Sequence, residues 1–249
     1  MPYMAASLLF CLTLLQTTRV EDPLVSIATK YSLRVEVVDK PQVIQGAGYR
    51  IEIDPPSKED LAAYTKLFSS EWNRYPIEVT KKAGLKAIVI GSNIRMNTQI
   101  RASVPAFDTG IMYYDTTLGK KHPEFQRSVV HHEFYHLLDE RQGKIWVDKP
   151  WSELNPPDFH YGKGGAAMRE AGVGKLTDKL PGFITLYSTS AIEEDKAEIF
   201  AHLLVDPVFL DDRVKADPVV SSKVAFLKQR LKDWVSAVDD CFWKSKATD

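Results

Sequence analysis

One segment, between Pro123 and Gly143, limits the possible folds of this chain more than any other. Pro suits the first position of a helix because its missing N–H has no partner there anyway, and Gly suits the position just past the end. Between them, Val130, Phe134 and Leu138 help to make the segment apolar on most sides. A helix with that pattern is buried. The sequence therefore predicts a central helix that begins at Pro123 and ends before Gly143.

The same segment contains the motif H-E-x-x-H at positions 132–136. Four residues are just over one helical turn, so His132 and His136 leave the same face, one above the other. Two neutral imidazoles in that arrangement can bind one Zn²⁺. Glu133, about 100° round the helix, can reach a water on the ion rather than the ion itself. The alternative, two solvated histidines on a surface helix, does not need the apolar surroundings of this motif.

A catalytic zinc ion binds three protein ligands and keeps a fourth position open, and Glu194 is the candidate for the third ligand. Ser190 and Glu193 have the spacing of a capping box, which predicts that a helix begins here and that Glu193 bonds to the backbone at its start. Small residues follow Glu194 on one stripe, so this helix can approach another backbone closely. A carboxylate buried there needs a cation. Glu193 and Asp195 remain alternative ligands.

Three further side chains can support such a site. Asp139 lies one turn beyond His136 and can accept a hydrogen bond from the second ring N–H of a ligand histidine. A charged residue near the helix end, without such a role, is an equally good interpretation. Glu198 lies one turn beyond Glu194 and can serve a ligand histidine in the same way. Tyr187 can donate a hydrogen bond to the oxyanion that forms during peptide cleavage, or can simply pack in the core.

Two blocks of the sequence resemble the catalytic domain of the anthrax lethal factor type of gluzincin metallopeptidase. Residues 132–139 are similar to the first block of that family, H-E-F-G-H-x-x-D, except that Tyr135 stands where the family has Gly and can crowd that side of the helix. Residues 187–200 are similar to its second block, Y-x(6)-E-x-x-A-E-x-F. The resemblance is confined to these two segments.

The resemblance implies one catalytic zinc ion and a role for each matching residue. By the resemblance, His132, His136 and Glu194 bind the zinc ion and Glu133 is the general base. Tyr187 is the tyrosine that stabilises the transition state, and Glu198 is a carboxylate behind the ligands. It also implies a zincin-like metallopeptidase fold of the α+β class, a small mixed sheet with helices packed on it and a central H-E-x-x-H helix.

The strand patterns agree with that architecture. Residues 33–37 and 49–53 alternate as half-buried strands, 85–90 are a short apolar run, and Ser57 caps a helix with an apolar face. The last predicted strand, 110–114, precedes the central helix. By the same resemblance it lies at the cleft edge and pairs with the substrate backbone; an internal strand is the alternative. Residues 143–186 are rich in aromatic side chains and are interpreted as part of the cleft wall.

Length and net charge limit the kinds of partner that the chain can have. Its 249 residues are enough for one well-buried domain, which we place at 21–249. The net charge is −1 and there is no basic block, which argues against nucleic acid or an anionic membrane as the main partner. The expected partner is a peptide or protein substrate, without stable membrane insertion of the mature chain.

The first residues have the pattern of a targeting segment. Met4 to Leu15 is apolar and uncharged, with the length of a signal-peptide core, too short to span a bilayer. It lacks a preceding Lys or Arg and a clear cleavage site, and a short buried helix is the alternative. We interpret 1–20 as a signal peptide, which predicts a secreted or extracytoplasmic protein. Its removal would leave Cys241 alone, without a partner for an intramolecular disulfide.

The sequence therefore predicts a zinc metalloendopeptidase. Two alternatives stay open. The domain can be a catalytically idle zinc module that docks a partner, or a zinc hydrolase that acts on a non-protein amide such as a cell-wall peptide. The presence of Glu133 favours an enzyme, since an idle module has no need of a general base.

Overall fold

The computed structural model describes residues 22–46, 48–168, 170 and 172–245. The predicted signal peptide at 1–20 lies outside these residues, so it and the domain limit at residue 21 stay predictions. No helix in the described part is both long and apolar enough to cross a membrane.

A mixed sheet forms one layer of the fold. Its strands are β1 (Arg34–Val37), β2 (Gln42–Gln45), β3 (Arg50–Asp54), β4 (Ala87–Met96), β5 (Gln99–Ile100), β6 (Ser103–Ala106) and β7 (Ile111–Asp115). The main order is β2-β3-β4-β7-β6, and β1 and β5 also pair with β4. Strands β1 and β7 run parallel to β4, whereas β3 and β6 are antiparallel to their neighbours.

Helices form the other layer. The α-helices are α1 (Pro23–Tyr31), α2 (Lys58–Trp72), α3 (Ile77–Lys82), α4 (Pro123–Arg141), α5 (Lys149–Ser152), α6 (Ile192–Val205), α7 (Pro207–Ala216), α8 (Pro218–Trp234) and α9 (Asp240–Lys244). Short 3-10 turns occupy Gly165–Ala167 and Tyr187–Thr189. The α+β architecture predicted from the sequence is confirmed.

The predicted strand before the central helix is β7, and it is an internal strand. It pairs with β4 on one side and with β6 on the other. The expectation that it lies at the cleft edge and binds substrate is therefore wrong. Strand β6, which the sequence pattern missed, covers that side; it contains Pro105, and Pro is tolerated on edge strands because it cannot donate to a ladder.

An aromatic cluster holds the central helix on the sheet. The side chain of Ser57 accepts from the Asp60 N–H at 3.1 Å and starts α2 as predicted. The Trp72 ring of α2 lies 4.9 Å from Phe134 of α4, and Phe68 lies 5.0 Å from Tyr114 of β7. Helix α4 has the predicted limits, with Gly143 just beyond it at φ +66°. The motif helix is thus buried and fixed in orientation.

Helix α6 packs beside α4 but does not begin as predicted. Its N-cap is Ala191, which offers no side-chain cap, and Ser190 instead donates its hydroxyl to the Tyr187 carbonyl at 2.7 Å. The capping box is therefore wrong, because the preceding 3-10 turn takes the hydroxyl. The small residues Ala197 and Ala201 are fully buried, as expected for a close helix pair.

Charged side chains are buried behind the motif face of α4. Lys196 of α6, fully buried, forms an ion pair of 2.5 Å with Asp139 of α4 and lies 3.5 Å from Asp148. A second buried pair joins Asp195 to Lys223 at 2.7 Å. Buried ions are retained only when they are paired and hydrogen-bonded. These pairs therefore fix the way in which α4, α6 and α8 meet.

The buried carboxylate of Glu71 should make the stability of the fold sensitive to acid. Burial raises its pKa, but His131, Arg127 and Arg74 outweigh burial and hold that pKa at about 2. Since this value lies below the usual 4.5, the stability that Glu71 provides is complete above about pH 4.5 and is lost as the pH falls towards 2. We expect the free energy of unfolding of wild type to exceed that of Glu71→Gln by about 3 kcal/mol at pH 7. Urea unfolding at pH 7, 5 and 3.5 checks this. The difference should be the same at pH 7 and 5 and smaller at pH 3.5, and an undiminished difference at pH 3.5 would contradict the expectation.

Candidate metal centre

Helices α4 and α6 bring three metal-binding side chains together. The Nε2 atoms of His132 and His136 lie 3.2 Å apart, and Glu194 Oε2 lies 2.9 Å from the first and 3.4 Å from the second. Among the described residues they form a group whose ligand atoms all lie within 4.8 Å of one another. All three side chains are buried. The structure thus places the three predicted ligands around one point.

The competing carboxylates point elsewhere. Asp195 binds Lys223 and accepts hydrogen bonds from Trp151 and Tyr161, on the side of α6 away from the two histidines. Glu193 is half-buried and does not belong to the converging group. Glu194 is therefore the carboxylate that the helix pair offers to a metal ion.

The chemistry of this group fits a cation. His132 Nδ1 lies 2.9 Å from Glu198 Oε1, which can only accept, so the ring proton belongs on Nδ1 and the lone pair on Nε2. That lone pair faces the Glu194 carboxylate. Burial lowers the pKa of His132, but the hydrogen bonds and charges of Glu194 and Glu198 raise it well above its usual range. The site thus favours positive charge, and two imidazoles with one carboxylate are a donor set for Zn²⁺.

A hydrogen-bonded chain continues behind His132. Glu198 accepts a second hydrogen bond, 2.8 Å from Thr185 Oγ1, and Thr185 is bonded in turn to Ser188 at 2.8 Å. Glu198 therefore lies beside His132, the candidate ligand that the sequence assigned to it. Thr185 was missed, since nothing in its local pattern indicates that it meets a helix thirteen residues later in the chain.

Two further residues of the predicted catalytic set border the ligands. The Tyr187 hydroxyl donates to Glu194 Oε1 at 2.9 Å, and its ring lies 6.1 Å from His132. Glu133 is half-buried, and none of the hydrogen bonds found in the described part of the chain involves its carboxyl. Burial, helped by the charge of Glu194, raises the pKa of Glu133 against the lowering effect of the two histidines. A carboxylate with a raised pKa is a stronger base than an exposed one.

Asp139 and Tyr135 are placed differently from expectation. Asp139 pairs with Lys196, and no hydrogen bond within the described residues joins it to His136. Tyr135 is fully buried against Phe200, with a ring separation of 4.9 Å, so it does not crowd the metal-facing side of α4. Both side chains belong to the packing between α4 and α6 rather than to the cleft.

One large cavity of the fold does not open onto this centre. It has a volume of about 970 Å³ and lies between α2, the start of α4 and the C-terminal helices. None of the three candidate ligands lines it, and neither does Glu133 or Tyr187. Among the described residues, the converging group of possible metal ligands thus lies outside this cavity.

Comparison with known proteins supports the fold. No protein-family model and no curated protein matches the chain. A candidate zinc-binding metallo-peptidase from Bacteroides caccae, solved by crystallography, is similar to it, with a TM-score of 0.54 and 19% identity over 89% of this chain and 87% of that one. At this identity the likeness bears on the fold alone, and it does not single out the lethal factor type. The chain therefore has a zinc metallopeptidase-like fold, a small mixed sheet with helices packed on it.

Proposed function

We propose that this protein is a zinc-dependent metalloendopeptidase of the gluzincin type. The observation that carries the proposal is the convergence of His132, His136 and Glu194 within 4.8 Å, with Glu133 on the same helix as the two histidines. Two histidines and a carboxylate leave a fourth position for water or substrate. The resemblance of the two sequence blocks to the lethal factor type supports the same assignment. We assign the centre one zinc ion.

Each protein group has a defined task in this proposal. A zinc ion held by His132, His136 and Glu194 would supply Lewis acidity at the scissile carbonyl and would make a water nucleophile available at neutral pH. Glu133 takes a proton from the attacking water and passes it to the leaving amine. Tyr187 donates its hydroxyl to the developing oxyanion, and Glu198 holds His132 in the tautomer that presents Nε2.

Removing the third ligand tests the centre directly. We expect Glu194→Ala to lose most of its zinc, because two neutral imidazoles alone would have to hold the ion in a buried site. Metal analysis of the purified protein measures this. Glu193→Ala, one residue away on the same helix and outside the converging group, should keep one zinc per chain. Unchanged zinc content in Glu194→Ala would refute Glu194 as a ligand.

The substrate class is tested with a fluorescent peptide library and a set of cell-wall peptides. Cleavage within the library that a chelator abolishes supports the endopeptidase. Turnover of cell-wall peptides alone would favour a hydrolase of non-protein amides. Zinc binding without turnover of either set would favour an idle docking module. We expect the first outcome, because Glu133 is present and carries none of the described hydrogen bonds.

A further inference from the structure

A glycine-rich segment, residues 162–168, lies directly on the metal centre, and we call it the strap. At its middle, Gly165 is buried against Glu194 and Tyr187. A Cβ atom added to Gly165 would lie 2.1 Å from Glu194 Oε1 and 2.3 Å from the Tyr187 hydroxyl. Real Cβ atoms do not approach so closely, so a larger residue here would displace the Glu194 carboxyl group and the Tyr187 hydroxyl, or the strap itself.

The strap is held by few interactions. The Gly162 N–H donates to the Thr189 carbonyl and the Gly164 N–H to the Ser190 carbonyl, both at 2.9 Å. Residues 162, 163, 166 and 167 are exposed. Segments with little buried apolar surface and a few exposed backbone hydrogen bonds are the ones that separate locally from a fold at low free-energy cost.

The residue before the strap is fixed, which gives the segment a hinge. The Tyr161 hydroxyl donates to Asp195 at 2.7 Å and accepts from Asn155 at 2.9 Å, and the Tyr161 ring lies 5.0 Å from Phe159. Immediately after it come Gly162 and Gly164. Gly164 has φ +93° and ψ 158°, a conformation essentially restricted to glycine. The seated strap therefore depends on one backbone conformation that is easily disfavoured.

The seated strap has two effects on the centre. It lies against Glu194, which is 9% exposed. It also lies over the hydrogen bond from Tyr187 to Glu194, so that in this arrangement the hydroxyl donates to a ligand carboxylate. A peptide needs access to the ligands and needs that same hydroxyl for its oxyanion.

We propose that the strap is an autoinhibitory lid. Seated, it covers the metal ligands and keeps Tyr187 on Glu194; lifted about Gly162 and Gly164, it admits the peptide and releases the hydroxyl. The role in catalysis rests on the proposed peptidase function. The covering of the metal site does not depend on that function. It is tested separately, because a lid over the site also governs how fast a chelator reaches the ion.

The test uses Gly164→Ala in the full zinc-loaded protein. A Cβ at this position would meet no atom within 4 Å, so the change strains only the backbone of the seated strap. It is expected to shift the balance towards the lifted state by about 5- to 150-fold. The matched control is Gly48→Ala in the β2–β3 hairpin, where φ is +85° and a Cβ again meets nothing. It carries the same kind of strain away from the centre.

Three measurements are made on each protein: the rate of zinc removal by dipicolinate, hydrogen exchange of the 162 and 164 amides, and kcat/KM for the best library peptide. Gly164→Ala should raise all three, while Gly48→Ala should match wild type. Gly162→Ala, whose Cβ would lie 3.3 Å from the Ser190 carbonyl oxygen and would meet no metal-ligand side chain, crowds the seated strap. It should also accelerate zinc removal, which keeps the test valid if Gly164→Ala folds poorly.

The outcomes separate the two proposals. Zinc removal and amide exchange at the wild-type rates in both strap variants would overturn the lid. Faster zinc removal with a lower kcat/KM would overturn autoinhibition, because the strap would then be a wall that binds substrate. Faster zinc removal, with no peptide cleaved by any of the proteins, would support the lid over the metal and refute the peptidase.

Discussion

Glu133→Gln should lower kcat/KM for a peptide substrate by about 10²- to 10⁴-fold, the usual contribution of a positioned general base. The amide has nearly the shape of the carboxylate but cannot take a proton from the attacking water. Glu133 does not belong to the three converging ligands, so the zinc content should stay at that of wild type. The expected result is a folded, zinc-loaded and nearly inactive protein.

The measurement pairs metal analysis with peptide cleavage on the same preparation. Glu124→Gln is the matched control, because this exposed residue lies in the first turn of the same helix and far from the histidines in sequence. It should leave both zinc content and kcat/KM unchanged. Full activity in Glu133→Gln would remove Glu133 from the mechanism, and loss of zinc in that variant would show that its carboxylate helps to hold the ion.

Lys196→Met should destabilise the fold by about 3–5 kcal/mol, the range for breaking a buried ion pair by removing one partner. Lys196 and Asp139 are both fully buried, and their ion pair joins α6 to α4. Without the ammonium group, Asp139 is left as a buried carboxyl whose pKa burial already raises. It must then either stay charged without a counter-ion or take up a proton on folding.

A double substitution shows whether this unpaired charge is the cause. Asp139→Asn combined with Lys196→Met removes both charges, and it should recover much of the stability that Lys196→Met loses. Urea unfolding at pH 7 gives the free energies. Lys215→Met removes an exposed lysine that pairs with Asp212 and should change stability by less than about 1 kcal/mol. If Lys196→Met alone is as mild as Lys215→Met, the buried pair does not hold the two helices together.

The buried ion pair also explains why Asp139 does not bind His136. From its spacing, Asp139 could have accepted a hydrogen bond from the His136 ring N–H, and its charge alone gave no reason to prefer another partner. Lys196 follows Glu194 by two residues on α6, so it leaves a different face of that helix and meets Asp139 behind the ligands. Helices α4 and α6 therefore carry the three converging candidate ligands on one side and the buried ion pair on another, and the ion pair keeps the two helices in register.

The sequence by itself determined the features that depend on local spacing. The limits of α4, the common face of His132 and His136, and the cores of the strands β1, β3, β4 and β7 follow from periodicities of a few residues. Glu194 could be proposed as the third ligand from the sequence, because a stripe of small residues follows it on α6. These patterns need no knowledge of what lies across the fold.

Only the tertiary structure decided which distant groups meet. Four features join segments whose meeting no local pattern encodes: the covering of β7 by β6, the partner of Asp139, the contact of Thr185 with Glu198 and the contact of Gly165 with Glu194. The capping box failed for a related reason, since the turn before α6 bonds the Ser190 hydroxyl before the helix can use it. Local spacing fixes which face a side chain leaves, but its partner depends on packing, which is settled only when all the elements are in place.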